Sequence, residues 1–174
     1  MQAMARRMRK FIGVALFVSL VSLMGFTQET PKPEVFGGYQ YTRFDGGTNA
    51  SGFNGQATMY INKWLGVSGD FGGAFPSGGK FLTYTGGPVV STHKGQFSPF
   101  AHFLIGGAHA SATDPLSGTT VGANGLAMMP GGGVDMGSKQ LAFRLVQFDW
   151  LISRFSGVTD KNNARISSGL LFRF

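Results

Sequence analysis

The stretch Ala164-Arg-Ile-Ser-Ser-Gly-Leu-Leu-Phe-Arg-Phe174, at the end of the sequence, decides the fold. Successive side chains of a β-strand point to opposite sides, so the stretch divides into two faces. The first face is mostly apolar and carries Ala164, Ile166, Ser168, Leu170, Phe172 and Phe174. The second face is mostly polar and carries Asn163, Arg165, Ser167, Gly169, Leu171 and Arg173. Such alternation, with aromatic residues crowding the end, predicts a strand that crosses a membrane with its apolar face outward.

The opposite end of the sequence predicts export. Residues 1–10 contain four basic residues and no acid, and residues 11–26 (FIGVALFVSLVSLMGF) are apolar and uncharged. A basic start followed by a short apolar run is typical of a secretory signal peptide. The alternative, a transmembrane anchor, needs about 20 apolar residues, and this run of sixteen is short for that role.

Small residues at Gly25 and Thr27 predict cleavage after Thr27. We therefore expect three segments in the chain. They are a signal peptide over residues 1–27, a short polar leader over residues 28–33 and a single outer-membrane barrel domain over residues 34–174.

The composition excludes several function classes. Removal of residues 1–27 leaves eleven basic and eight acidic residues, so the net charge falls from +7 to +3. The remaining cations are scattered, and no nucleic-acid partner is expected. The absence of cysteine excludes disulfides, thiol nucleophiles and thiolate metal sites. The 28 glycines and the aromatic content of 13% suit strands that bend around a narrow barrel and carry aromatic girdles.

Alternating patterns predict eight strands, each near or above the ~9–11 residues that a tilted membrane strand needs. Their predicted bounds are 34–44, 53–62, 65–75, 80–92, 97–109, 123–136, 141–154 and a last strand after residue 162. The connections alternate between longer ones (45–52, 76–79, 111–122, 156–162) and shorter ones (63–64, 93–96, 137–140). Short periplasmic turns and longer extracellular loops are the outer-membrane pattern. Pro130 predicts a bulge or weakened pairing in the sixth strand.

The start Val35-Phe-Gly-Gly-Tyr-Gln-Tyr41, the eight alternating strands and the end Leu170-Leu-Phe-Arg-Phe174 resemble one known family. It is the small eight-stranded bacterial outer-membrane β-barrel family of the OmpA transmembrane domain and OmpX-like proteins. The resemblance implies an all-β, eight-stranded antiparallel up-and-down transmembrane β-barrel in the cell outer membrane. It also implies a monomer that contacts outer-membrane lipid and lipopolysaccharide and needs no cofactor.

The same resemblance implies an assembly signal in the last strand. Strands of this kind end in Phe with apolar residues at alternate positions, and the outer-membrane barrel assembly machinery recognises them. The matching residues here are Ile166, Leu170, Phe172 and Phe174.

Polar residues on the inward faces predict a filled lumen. The expected members of this polar network are Asn54, Gln56, Asp70, Asp135, Gln147, Asp149, Arg165 and Arg173, with His102 as a further candidate. The interior of an eight-stranded barrel is only just wide enough for side chains. Buried charges must also be paired, or they cost several kcal/mol. A plug is therefore favoured over a gated, ion-selective pore.

These features predict a structural, surface-interaction or minor-permeability role without a catalytic site. A first alternative is a secreted, soluble, lipocalin-like barrel with inverted faces, which would bind an apolar ligand inside. A metal site is not expected, because His93 is placed in a turn and His102 and His109 differ in parity along one strand.

A second alternative is an outer-leaflet lipid A acyl-ester hydrolase. His109-Ala-Ser111 places a base and a nucleophile on one strand face, and it resembles the His-x-Ser of the lipid A deacylase barrels. That family also uses a downstream Glu, and this chain has no Glu beyond Glu34. Asp114 is expected in a loop and Asp135 at the opposite membrane face. The set of catalytic residues is therefore incomplete.

Overall fold

The computed structural model describes residues 33–92, 95–114, 117–138 and 140–174, which form a closed antiparallel barrel. Each strand pairs with its sequence neighbours, and the last strand closes on the first. This confirms the predicted eight-stranded up-and-down fold. The strands are β1 Pro33–Arg43, β2 Asn49–Tyr60, β3 Leu65–Phe75, β4 Gly79–Ser91, β5 Phe97–Thr113, β6 Thr120–Gly137, β7 Leu141–Phe155 and β8 Val158–Arg173.

The predicted signal peptide and residues 28–32 of the predicted leader lie outside the described residues, and Pro33 already belongs to β1. Within the described part of the chain, no helix is long and apolar enough to cross a membrane.

The outer surface of the barrel is apolar and the interior is largely polar. On β2, Phe53 and Met59 are exposed on the outside, whereas Asn54, Gln56 and Thr58 are buried inside. The same alternation runs through the other strands, because the pleat turns every second side chain outward. A soluble barrel that holds an apolar ligand requires the opposite arrangement, so the lipocalin-like alternative is wrong.

The strands are staggered around the barrel. Starting at Val35, near the beginning of β1, the directly paired residues lead around the wall to Ile152, near the end of β7. They are Val35, Ala57, Gly69, Gly86, Ile105, Met128 and Ile152. This row climbs from the end of the barrel that carries Pro33 and Arg173, here called the proximal end, towards the opposite or distal end. Closure of a barrel requires such tilted strands.

The distal connections are shorter than predicted, because the strands continue into the expected loops. The predicted 156–162 loop is a two-residue turn, Ser156-Gly157, with φ of 48° and 89°. Positive φ at both central residues matches the right-handed twist of a hairpin. The predicted 111–122 and 45–52 loops shrink to residues 114–119 and 44–48. Small and polar residues at these ends resemble loop sequence but pair as strand extensions.

The irregularity expected at Pro130 lies elsewhere on β6. The β6–β7 register is unchanged from Met128 to Gly131, and it shifts only between Val134 and Asp135. Pro130 pairs with Phe103 on β5. A proline within a strand lacks the backbone N–H and so loses one hydrogen bond of the ladder. It does not by itself require the extra residue of a β-bulge.

Candidate functional site

Apolar side chains pack together in the distal half of the interior, beside a few uncharged polar ones, and are here called the distal cluster. The Phe81 ring lies 5.0 Å from Phe44 and 6.2 Å from Phe155, measured between centroids, in edge-to-face contacts. Such contacts favour aromatic packing beyond the burial of area. The distal cluster therefore closes this end of the lumen. Its members are Ala50, Ala74, Phe81, Leu104, Ala108, Ala127, Met129 and Leu151, with Phe44, Ala110 and Phe155 packed against them.

A charged group of side chains, the central cluster, lies on the proximal side of this apolar layer. Arg165 donates to both Asp70 oxygens, at 2.7 and 3.1 Å, and its Nε donates to Asp149 Oδ2 at 2.7 Å. All three side chains are 1% exposed or less. One buried cation therefore holds two buried carboxylates, which charge-assisted hydrogen bonds make possible.

Three further side chains complete the central cluster. Asn54 donates to Asp70 at 2.8 Å, and Gln147 donates to Asp149 at 2.8 Å. His102 Nε2 lies 2.7 Å from Asp149 Oδ1. Asp149 therefore contacts a guanidinium, an imidazole and an amide, and each of its oxygens has at least one partner.

A glycine makes the contact between His102 and Asp149 possible. His102, Gly131 and Asp149 are directly paired across β5, β6 and β7, so the imidazole reaches its carboxylate over Gly131. A Cβ on Gly131 would lie 2.1 Å from Asp149 Oδ1, 2.6 Å from the Phe148 carbonyl oxygen and 2.9 Å from His102 Nε2. No side chain larger than hydrogen fits at this position without displacing the pair.

A second buried arginine, Arg144, is held on the proximal side of the central cluster. Its Nε donates to Asp135 Oδ1 at 2.7 Å and its Nη1 to Gln56 Oε1 at 2.6 Å. The guanidinium carbon also lies 4.3 and 4.2 Å from the ring centroids of Phe36 and Phe100. A desolvated guanidinium between two aromatic faces gains cation–π attraction in addition to its ion pair.

Arg144 was missed by sequence reasoning because β7 does not alternate strictly. The register against β8 shifts between Arg144 and Gln147, so these two residues both point inward. Leu145 and Val146 between them both point outward, 40% and 46% exposed. An extra residue of this kind is a β-bulge. In the sequence, the two consecutive apolar residues between the polar residues Arg144 and Gln147 were the available sign of this bulge.

The structure brings most of the predicted lumen residues together. Arg173 instead lies at the proximal mouth, where its Nε donates to Glu34 Oε1 at 2.8 Å, and Glu34 was not among the predicted residues. The residues of the predicted assembly signal lie on the outside of β8, with Phe174 just beyond its end. The predicted lumen residues buried inside are Asn54, Gln56, Asp70, Asp135, Gln147, Asp149 and Arg165.

The candidate hydrolase residues lie near the distal end, on the outside. His109 Nδ1 bonds Asn124 Oδ1 at 2.7 Å, and Ser111 is paired with Gly122. Among the hydrogen bonds of the described residues, none joins Ser111 to His109. The Asn124 amide therefore orients the imidazole, whereas a catalytic triad requires a carboxylate in this place. The Ser111 hydroxyl is not hydrogen-bonded to the imidazole in the described residues. In the described residues, no three His, Asp or Glu side chains are arranged to hold a metal ion.

The chain matches no protein-family model, and no curated protein matches it in sequence. Solved structures do match its fold. The attachment invasion locus protein Ail of Yersinia pestis is 20% identical, with a TM-score of 0.61, over 84% of this chain and 100% of Ail.

Two further structures agree. Neisserial surface protein A is 11% identical, with a TM-score of 0.64, over 83% of this chain and 97% of its own. The N-terminal barrel domain of Pseudomonas aeruginosa OprF is 12% identical, with a TM-score of 0.56, over 83% of this chain and 100% of the domain. The chain therefore has the fold of the small eight-stranded outer-membrane β-barrel proteins.

Proposed function

We propose that this chain is a monomeric integral protein of the bacterial outer membrane, where it supports membrane integrity and contacts the cell surroundings. One observation carries the proposal: a closed barrel with an apolar outer surface and an interior packed with paired polar and apolar side chains. In water, so much exposed apolar surface would drive aggregation, whereas in lipid it is the required outer surface. Pairing of β1 with β8 leaves no open sheet edge for a second chain to join.

The distal end is the extracellular end in this proposal, since β1 begins and β8 ends at the proximal end. Aromatic side chains support the location in a membrane, because such residues gather at the two membrane interfaces. Trp64 and Phe97 are exposed near the proximal end, and Tyr41 and Trp150 are exposed nearer the distal end. Ail is named for attachment and invasion, and Neisserial surface protein A for its place at the surface. Their shared fold supports a surface role here.

A closed lumen is favoured over a pore. The distal cluster and a few buried polar side chains occupy the extracellular half of the interior, and Arg165 and Arg144 cross the remaining space with their partners. Ions would have to break buried pairs to pass, and each such break costs several kcal/mol. The charges of the lumen therefore act as a plug.

A catalytic role is disfavoured. The partner of His109 is an amide, and no hydrogen bond among the described residues joins it to the Oγ of Ser111. Without a base engaged with the nucleophile, an acyl-transfer site is incomplete.

Gel mobility in SDS tests the membrane barrel, and a planar-bilayer recording tests the closed lumen. We expect the membrane-extracted protein to migrate differently before and after boiling, because a closed barrel resists SDS until heat unfolds it. The refolded protein should leave bilayer conductance at background. A single band in both lanes, with the protein in the soluble fraction, would refute the proposal. A heat shift combined with steady single-channel steps would replace the plug with a pore.

Replacement of Phe174 with serine tests the assembly signal. Phe174 is 75% exposed and lies just past β8, so its side chain contributes little to packing. We expect several-fold less heat-shifted protein in cells, but an unfolding free energy of the refolded barrel within about 0.5 kcal/mol of wild type. Phe97→Ser, at another exposed aromatic residue of the proximal end, is the matched control and should assemble normally. Equal assembly of both variants would contradict the proposed signal.

A further inference from the structure

Two carboxylates share one guanidinium in the central cluster. Arg165 donates to Asp70 and to Asp149, and no second guanidinium of the described residues contacts either carboxylate. With His102 neutral, these four side chains together carry one uncompensated negative charge. All four are 1% exposed or less. A charge buried so deeply without compensation is costly, and groups in this situation bind or release a proton instead.

The other charged groups of the lumen balance one another. Asp135 bonds Arg144 at 2.7 Å, and Glu34 bonds Arg173 at 2.8 Å at the proximal mouth. Each pair is neutral as a whole, so neither supplies the missing positive charge. Several titratable or charged groups besides His102 face the described interior on the proximal side of the distal cluster. They are, from β1 to β8, Glu34, Tyr60, Asp70, Asp135, Arg144, Asp149, Arg165 and Arg173.

A proton on His102 supplies the missing charge. His102 Nε2 lies 2.7 Å from Asp149 Oδ1, so the imidazole can donate to the carboxylate that needs a second cation. Within the central cluster, histidine is the group that binds a proton most readily, since free histidine is half-protonated near pH ~6.5 and free aspartic acid near pH ~3.9. The Phe100 ring favours the same state, because its centroid lies 5.8 Å from that of His102 and aromatic rings attract cations within about 6 Å.

We infer that the folded barrel holds one proton on His102 and that this proton makes the plug sensitive to pH. Above about pH 6.5 the unfolded chain has released the proton, whereas the folded barrel retains it. The stabilisation from His102 is therefore complete below that pH and is lost as the pH rises further. Alkaline surroundings weaken the plug, and mildly acidic ones leave it intact. The inference rests on the proposed closed lumen, since water in an open pore would solvate the charge.

Urea unfolding of the refolded barrel in lipid vesicles, measured between pH 6 and pH 9, tests the inference. Each pH unit above about 6.5 should raise the unfolding equilibrium constant of the wild type by up to tenfold, because the folded barrel binds one proton more than the unfolded chain. Asp149→Asn leaves a single carboxylate for Arg165, and the new amide can donate to a neutral imidazole. The unfolding constant of this variant should therefore change less than twofold per pH unit.

Asp45→Asn is the matched control, because Asp45 is an exposed carboxylate in the connection between β1 and β2. Its unfolding constant should depend on pH as that of the wild type does. A wild-type unfolding constant that stays constant between about pH 6.5 and pH 8 would overturn the inference. So would an Asp149→Asn variant whose unfolding constant rises with pH as steeply as that of the wild type.

Nitrogen-15 NMR of the imidazole ring reports the proton directly and does not require Asp149→Asn to fold. The double variant His93→Gln/His109→Gln leaves His102 as the only histidine of the chain. We expect both ring nitrogens of His102 to carry hydrogen in the refolded barrel at about pH 7.5. A ring with one bare nitrogen at that pH would overturn the inference. A neutral ring with bilayer conductance at background contradicts this inference alone, whereas single-channel steps contradict the closed lumen of the proposed function.

Discussion

Replacement of Arg165 with methionine is expected to destabilise the folded barrel by about 3–5 kcal/mol. Arg165 is the only guanidinium that contacts Asp70 and Asp149 in the described structure, through hydrogen bonds of 2.7 to 3.1 Å. Methionine fills a similar volume but leaves two carboxylates buried without this cation. The expected loss of unfolding free energy is the cost of leaving two buried charges uncompensated. It is larger than the net stabilisation that the intact central cluster provides.

Urea unfolding in lipid vesicles, followed by tryptophan fluorescence, measures this change. Trp64 and Trp150 both lie on the outside of the barrel, so their emission reports contact with lipid. Arg43→Met removes an exposed arginine and should change the unfolding free energy by less than about 0.5 kcal/mol. Arg165→Lys keeps the charge but loses the bidentate geometry of the guanidinium. Its unfolding free energy should therefore lie between those of the wild type and Arg165→Met. A loss below about 1 kcal/mol for Arg165→Met would show that water enters the cluster freely.

Replacement of Gly131 with alanine is expected to cost about 3 kcal/mol, because one methyl group disturbs two interactions at once. The new Cβ would lie 2.6 Å from the Phe148 carbonyl oxygen, which belongs to the backbone and cannot rotate away. It would also lie 2.1 Å from Asp149 Oδ1 and so displace the carboxylate from His102. Overpacking costs about 1–3 kcal/mol, and a buried group left without its partner adds a similar amount.

Gly69→Ala is the matched control for this substitution. Gly69 also lies mid-strand, but on the outside, and nothing lies within 4 Å of a Cβ placed there. Its replacement should be neutral or slightly stabilising, since alanine restricts the unfolded chain more than glycine does. The same urea titration compares the two variants. Equal stability of Gly131→Ala and Gly69→Ala would mean that the barrel relaxes around the added methyl group.

Alternation made most of the fold predictable. The bounds of β3, residues 65–75, agree with prediction, because the apolar and polar faces alternate without interruption and clear turns flank them. The last strand was recognisable for the same reason, although it begins earlier, at Val158. Where a membrane faces one side of every strand, parity alone assigns the inward and outward faces.

The pairing of charges inside the barrel was not predictable from parity. Parity places Asp70, Asp149 and Arg165 inside, but which charge meets which depends on the stagger between strands, and single-strand patterns do not contain it. The bulge on β7 had the same effect locally, since it turned Arg144 inward against the alternation.

The order of layers inside the barrel has a consequence for insertion. If the chain enters the membrane from the periplasm, the distal half travels through the whole hydrocarbon region, and the proximal half travels least. Beyond the central cluster, the buried side chains of the distal interior are uncharged. They are the distal cluster and a few polar residues, among them Thr42, Thr83, Ser153 and Asn163. The buried arginines and aspartates follow behind it and cross a shorter depth of lipid. The order of layers in the lumen therefore lets the uncharged part of the interior enter first and gives the buried charges the shorter path.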